Sequence, residues 1–437
     1  MPPFPVPTGP VATGSLHLGL DLGTSGVRAV VIDAQGAVQA TAREPLPPPQ
    51  REGPHMRQDP ALWWDAVRRV LATVLAPLEC SRLASLAVDG TSGTLLLTDP
   101  EGTPLAPALM YGDAACVAEA ARIEALAPPD TAARGPACAL ARLLNLQARH
   151  PEAAHALHQA DWIAARLTGR LGLSDEHNAL KLGYDPLRRC WPAWLQALGV
   201  RAGLLPEVLA PGTRIGPVAP EIARAFGLPP HLQVVAGTTD GVAAFLATGA
   251  SRAGEAVTSL GSTLVLKLLS PQPVTASAFG VYSHRLGDQW LVGGASNSGG
   301  AALLKHFNAE RMAQLTPRLR PEFPTGLCYY PLPVPGERFP VNDPALAPRE
   351  SPRPADDALF FQGLLEGIAA VEALGYQRMA ELGAPTPSRV LTVGGGARNA
   401  AWTALRRRCL GVPVERASQE EAAYGTALLA LRAMAAG

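Results

Sequence analysis

The stretch LHLGLDLGTSGVR, residues 16–28, decides how the rest of the chain is read. Leu16, Leu18 and Leu20 alternate with His17 and Gly19, the period-two pattern of a strand with an apolar face. Asp21 stands where that strand ends, and Gly23, Thr24, Ser25 and Gly26 follow as a tight turn rich in backbone N–H groups and hydroxyls. VRAVVID (27–33) resumes a strand that AQG (34–36) turns back. These residues predict a β-hairpin whose loop grips an anion, the phosphates of a nucleotide, with one carboxylate beside it for a cation.

Working outward, AVQATARE (37–44) reads as a third strand and PLPPPQREGPHMRQDP (45–60) as a long, lid-like loop. Asp59-Pro60 opens a helix over 60–76, in which Trp63 and Trp64 read as core. LASLAVDGTSGTLLLTD (83–99) is strand, acid-glycine turn, strand, so the hairpin device is expected twice before residue 100. Residues 114–169 are Ala-rich and helical in pattern, 174–186 polar and loop-like, and 205–228 a strand edge and a helix. LQVVAGTTDGVAAFLATGA (232–250) is a buried strand, an acid at its end and an apolar helix.

The second half echoes the first. GEAVTSLGSTLVLKLLS (254–270) is again a hairpin with a hydroxyl-rich loop, and 290–307 is strand, Gly-rich turn and a helix from near Gly299. Residues 316–356 hold many prolines and no periodicity, which predicts a long surface excursion. An amphipathic helix over 360–383, a strand–triple glycine–helix unit over 389–411 and a closing helix complete the chain. This internal pseudo-duplication predicts an α/β protein of two halves, with the glycine turns lining a cleft between them.

Composition fits two domains: 437 residues, 47% apolar, with 37 basic and 37 acidic side chains. Zero net charge argues against nucleic-acid binding through phosphate electrostatics. Six scattered cysteines without a CxxC pair suit neither zinc nor disulfides. No uninterrupted apolar run is long enough to predict a membrane span. The first fifteen residues read as a flexible Pro-rich tail without signal-peptide features, so a cytoplasmic protein is expected.

No turn matches the common nucleotide fingerprints, GxxxxGK[ST] or GxGxxG with a distant acid. Gly394, Gly395 and Gly396, between a strand and a helix, allow close backbone approach and serve equally well as a packing turn. Asp21 can simply bond its own turn, and Asp240 is placed to cap the helix that follows it. Two strand-end acids together with three Gly/Ser/Thr turns favour phosphoryl transfer, whose base need only orient a hydroxyl and accept a late proton. His150, His155 and His158 are expected on an exposed helix without acid partners, against a metal site.

The set LGLDLGTSGVRAVVID, VVAGTTDGVAAF, AVTSLGSTLVL and VLTVGGGARNAAW resembles the FGGY carbohydrate kinases of the superfamily that holds actin, heat-shock chaperones and sugar kinases. VDGTSGTLLLTD, DEHNALKLGYDP and YYPLPVPGERFP look most like the short D-ribulose kinase subgroup of cyanobacteria and plants. The resemblance implies two RNase H-like domains, each a mixed sheet with flanking helices around a central cleft. One spans 16–247 with 421–437, whose last helix packs back on it; the other spans 248–420.

It also implies ATP and Mg²⁺ as reagents, with Asp240 as general base on the sugar. Asp21 is implied at the Mg²⁺–phosphate region and the sugar's reactive end. Gly23, Thr24 and Ser25 would form the first phosphate loop, and Gly261, Ser262 and Thr263 the second. Gly395, Gly396, Asn399 and Trp402 would frame the adenosine, and Ser92 would hold the ketose. Larger family members carry an aromatic-x-Asp-x-Arg sugar motif. Here Tyr111-Gly112-Asp113-Ala114-Ala115 lacks the arginine, which leaves Asp113 open as a ligand, and Gly241 stands where close relatives can carry a hydroxyl. The expected reaction is D-ribulose plus ATP, by a monomer or homodimer. The alternatives are another ketose or polyol, such as D-xylulose or ribitol, or a non-catalytic ATP-binding regulator.

Overall fold

The period-two leucines lie at the centre of a sheet, and they are covered on both sides. The computed structural model of the chain describes residues 14–435, so most of the expected Pro-rich tail lies outside the described residues. β1 (Leu16–Gly23) is buried along nearly its whole length, its non-leucine face included. It forms an antiparallel meander with β2 (Gly26–Asp33) and β3 (Val38–Pro45).

The expected lid-like loop contains a hairpin instead, β4 (Gln50–Glu52) and β5 (His55–Gln58), joined by Gly53-Pro54 with Gly53 at φ +56°. α1 (Pro60–Leu75) starts where Asp59 accepts from the Ala61 N–H, and it packs Trp63, Val67, Val70 and Val74 beneath the sheet. Trp64 is only half-buried.

β6 (Leu83–Gly90) lies parallel to β1. The strand after the second GTSG, β7 (Leu95–Thr98), leaves for another sheet, so residues 83–99 do not form a second hairpin. That five-stranded sheet runs β4-β5-β8-β7-β9, with β8 (Ala108–Leu109) and β9 (His155–His158). α2 (Val117–Leu126) and α3 (Ala139–Arg149) precede β9, and α4 (Gln159–Thr168) follows it. His155 and His158 therefore sit on a strand, not an exposed helix. His158 is fully buried and its Nδ1 lies 3.1 Å from Asp161 Oδ2.

The stretch 174–186 is also more ordered than its polarity suggested: β10 (Leu173–Asp175) runs into α5 (Glu176–Ala179). After α6 (Trp194–Ala197) come β11 (Glu207–Leu209), paired with β10, then β12 (Arg214–Pro217) and α7 (Pro220–Phe226). β13 (Gln233–Thr239) and α8 (Asp240–Ala247) end this part of the chain. The main sheet of the first unit has the order β12-β13-β6-β1-β2-β3.

A second compact unit comprises Ala250–Glu420. β14 (Glu255–Leu260) and β15 (Leu264–Ser270) are the expected hairpin, and β16 (Tyr282–Leu286) pairs with β17 (Gln289–Ser296). α9 (Gly300–Leu304) and α10 (Ala309–Leu315) lead into the Pro-rich segment. That segment is not confined to the surface: Tyr329, Leu332 and Phe339 are buried, and buried Glu337 accepts from Ser296 Oγ at 2.6 Å and from the Asn297 N–H at 2.7 Å.

α11 (Asp357–Glu381) is buried around most of its circumference rather than along one stripe, hence its weak amphipathicity. By length and composition it could cross a membrane, but 72% of its apolar window is buried inside the unit. β18 (Arg389–Val393), α12 (Ala400–Leu410) and β19 (Val414–Arg416) complete the sheet β16-β17-β15-β14-β18-β19.

The chain then returns to the first unit. α13 (Ala422–Ala435) packs on β1, β6 and α8. The approach is backbone to backbone: a Cβ at Gly19 would come within 2.1 Å of the Ala423 carbonyl oxygen, and one at Gly425 within 1.9 Å of that of Ala243. Ser85 Oγ donates to the Ala430 carbonyl at 2.8 Å while facing His17 Nδ1 at 2.7 Å, so the helix is also bonded to the strands beneath it.

Candidate active site

Three parallel strands of the first sheet end in acids. Asp21 on β1 is the register partner of Asp89 on β6, and Asp89 is the partner of Thr238 on β13, two residues before Asp240. Asp21 is almost fully buried, and its Oδ2 accepts from Arg28 Nη1 at 2.8 Å across the hairpin.

Asp89 was not singled out from the sequence, although it too is an acid directly before a glycine at a strand end. It is wholly buried: Oδ2 accepts from the Thr426 hydroxyl of α13, and Oδ1 has no hydrogen-bond partner. Burial pushes its carboxyl well above the usual carboxylate range, the negative charge of Asp21 adds to this, and the Thr426 hydroxyl opposes it.

Asp240 owes its position to a bulge. Between Val235 and Thr238 the register of β13 against β6 slips by one residue, and a Cβ at Gly237 would sit 1.7 Å from the Val88 carbonyl oxygen. The helix cap is Thr239, and Asp240 is the first residue of α8 rather than its cap; its Oδ1 accepts from the Gly241 N–H at 2.6 Å.

α5 buttresses the same strand end. His177 Nδ1 lies 2.6 Å from Thr238 Oγ1, and Asn178 Nδ2 donates to the Thr238 carbonyl at 3.3 Å. Asp175 caps α5 through the His177 and Asn178 N–H groups. Its pKa is pushed up to about 7, first by burial and then by the charge of Asp161.

The first turn is a two-residue loop, Thr24-Ser25, closed by the Gly23–Gly26 pair. Neither hydroxyl is hydrogen-bonded among the described residues. In the second GTSG, Thr91 is committed to Gln159 Oε1 and Thr94 Oγ1, whereas half-buried Ser92 has an unengaged hydroxyl among the described residues. Asp113, left open as a ligand, is fully buried and spent on backbone: Oδ2 accepts from the Met56 N–H at 2.8 Å and Oδ1 from the Ala115 N–H at 3.1 Å. These bonds make it an anchor between the β4–β5 hairpin and its own loop.

The remaining site residues belong to the second unit. The Gly261–Ser262–Thr263 turn is exposed and backed by α9, whose Gly300 and Ala301 N–H groups donate to the Gly261 and Ser262 carbonyls. Gly394 donates its N–H to Glu420 at 2.7 Å. Asn399 caps α12 by accepting from the Trp402 N–H at 3.0 Å. Trp402 is buried and anchored through Nε1 to the Leu365 carbonyl.

Gly261, Ser262, Gly395, Gly396, Asn399 and Trp402 share one cavity of about 400 Å³, whose other walls include Leu303, Met312 and Phe361. An apolar slot rimmed by glycines and a neutral amide suits a purine base and ribose leading to phosphates. No group of three His, Cys, Asp or Glu side chains is close enough to hold a metal among the described residues. Mg²⁺ bound beside phosphates needs only one or two carboxylates from the protein, a role Asp21 can fill.

Residues 16–247 match the N-terminal domain, and residues 256–434 the C-terminal domain, of the FGGY family of carbohydrate kinases. The chain belongs to this family. As an FGGY kinase it is a sugar phosphotransferase that uses ATP with Mg²⁺. Among curated relatives, the xylulose kinase of Escherichia coli is 26% identical over 89% of this chain and 83% of its own length. That of Streptomyces coelicolor is 28% identical over 92% and 85%. A xylulose kinase structure from Brucella ovis superposes with a TM-score of 0.88 at 25% identity, covering 97% of this chain and 91% of that one. The glycerol kinase of Plasmodium falciparum, solved with ADP, shares the fold at a TM-score of 0.83 and 15% identity, over 95% of this chain and 89% of its own.

Proposed function

We propose that this FGGY kinase transfers the γ-phosphoryl group of ATP to D-ribulose, giving D-ribulose 5-phosphate and ADP. The observation that carries the reading is the convergence of Asp21, Asp89 and Asp240 at adjacent strand ends, with Arg28 paired to Asp21. Of the three, Asp240 is the one that is only partly buried, and it starts a helix, so it is the carboxylate exposed enough to meet a substrate hydroxyl.

Asp240 takes the proton of the attacking hydroxyl, and the new O–P bond forms as the bond to the ADP oxygen breaks. Ser92 bonds the ketose and fixes its hydroxyl in line with the phosphorus. Asp21, already paired with Arg28, holds the metal side of the triphosphate. Thr24, Ser25, Ser262 and Thr263 offer hydroxyl and N–H donors to the phosphate oxygens. Gly395, Gly396, Asn399 and Trp402 enclose the adenosine. Mg²⁺, when bound, spreads the charge that develops on the transferring oxygens.

D-Ribulose is favoured by the VDGTSGTLLLTD and DEHNALKLGYDP segments. D-Xylulose is the second reading, because the relatives above are named for it. ADP release measured across D-ribulose, D-xylulose, ribitol and glycerol decides between them. The expected result is the highest kcat/KM with D-ribulose and none without sugar. Sugar-independent release, or full turnover by Asp240→Ala, overturns the mechanism.

A further inference from the structure

We infer that Arg142 is a positioning residue for the sugar: its guanidinium ties the Ser92-Gly93 turn to the Tyr111–Asp113 loop and so sets sugar affinity. The inference rests on the role proposed above for Ser92. Arg142 projects from α3 and has no solvent exposure. Nη1 donates to the Gly93 carbonyl at 2.6 Å, and Nη2 donates to the Tyr111 and Asp113 carbonyls at 2.5 and 3.0 Å. Nε has no partner, and no carboxylate forms an ion pair with Arg142 among the described residues.

A buried guanidinium held only by carbonyl dipoles is a costly way to fill space. Its neighbours on α3, Leu140, Leu143 and Leu144, show that the local packing is otherwise apolar. A leucine or methionine would fill that volume without desolvating a charge. What neither can do is bridge two loops, whereas the rigid fork of arginine reaches carbonyls on both.

Apart from the Leu95–Leu109 strand pair beside them, the other bond between the bridged segments among the described residues runs from the Tyr111 N–H to Thr94 Oγ1 at 3.1 Å. Gly93 is shaped to the arrangement: at φ +89°, a Cβ there would stand 3.3 Å from Arg142 Nη1. The aromatic-Gly-Asp loop thus receives from α3 the guanidinium that its own sequence lacks, and Ser92 sits one residue from the clamp.

The test uses the full-length chain with Arg142→Met, Arg142→Ala and Arg142→Lys. In Arg142→Met the KM for the sugar rises about tenfold or more, while the KM for ATP stays within about twofold and kcat falls less than sugar affinity. Added guanidinium ion recovers part of the affinity in Arg142→Ala and none in wild type, and Arg142→Lys is intermediate. Independently of activity, amide exchange quickens at residues 91–94 and 111–115 in Arg142→Met, but not at 261–263 or 394–399.

Unchanged exchange at both loops overturns the clamp. Loop exchange that quickens while sugar KM stays constant, or KM values that rise equally for both substrates, reduces Arg142 to a packing residue. A wild-type enzyme that turns over no sugar overturns the proposed function instead, and exchange then still decides the clamp.

Discussion

The two six-stranded sheets share a plan and differ in where they keep charge. In each, a hairpin is followed by two strands added in parallel: β6 and β13 beyond β1, and β18 and β19 beyond β14. Aligning Leu22-Gly23 with Leu260-Gly261 puts Ser259 where Asp21 stands, and the register partner of Ser259 is Val393 where that of Asp21 is Asp89.

The second sheet keeps its charge underneath instead. Fully buried Glu372 accepts from Arg406 Nε and Nη2 at 2.6 and 2.7 Å and from Thr258 Oγ1 at 2.5 Å. One strand plan therefore carries three acids at its rim in the first unit, and in the second a Ser–Val register pair over an internal ion pair.

The comparison breaks first at Asp240. Asp240→Ala is expected to lower kcat for sugar-dependent ADP release by about 10³-fold, within the range for general bases, with the KM for ATP unchanged. Next is the internal pair. Arg406→Met leaves Glu372 buried without its cation and is expected to cost about 3–5 kcal/mol in urea unfolding. A double change to apolar residues at both positions recovers much of that loss.

Ser259→Asp gives the second rim the acid of the first. Repulsion of the nucleotide phosphates is expected to raise the KM for ATP about tenfold while sugar KM holds. The smallest effect concerns pH. Because Asp175 has a folded pKa of about 7, the unfolded chain releases this proton at lower pH than the folded one, so its contribution to stability is present at acid pH. It is lost as pH rises from about 4 to 7. Asp175→Asn is expected to flatten that part of the Tm–pH curve by a few degrees relative to wild type.

Much of this was readable from the chain. The leucine alternation, the Gly-hydroxyl turns and the strand-acid-helix pattern at Asp240 are local signals, and they located both hairpins and α8. What escaped depends on contacts distant in sequence. β7 pairs with β8 and with β9, the latter some sixty residues on, so residues 83–99 could not be told from a hairpin locally. His158 looked solvent-facing because α4 follows it, yet it lies in a strand. Asp89 drew no notice because its meaning depends on Asp21 across a strand pair and on Thr426 at the far end of the chain. The contact of Arg142 with the Tyr111–Asp113 loop likewise spans about thirty residues of sequence.

The placement of α13 has a consequence for biosynthesis. The helix that covers Gly19 and supplies Thr426 to Asp89 is translated only after the entire second unit. Until then the nascent first sheet exposes the apolar and backbone surface that α13 later covers, a surface open to chaperones and to faulty pairing. The contact between Thr426 and Asp89 is thereby deferred until the second unit has been made. A fragment ending at Gly249 would emerge with that face bare, and it could be completed in trans by a peptide of residues 421–437.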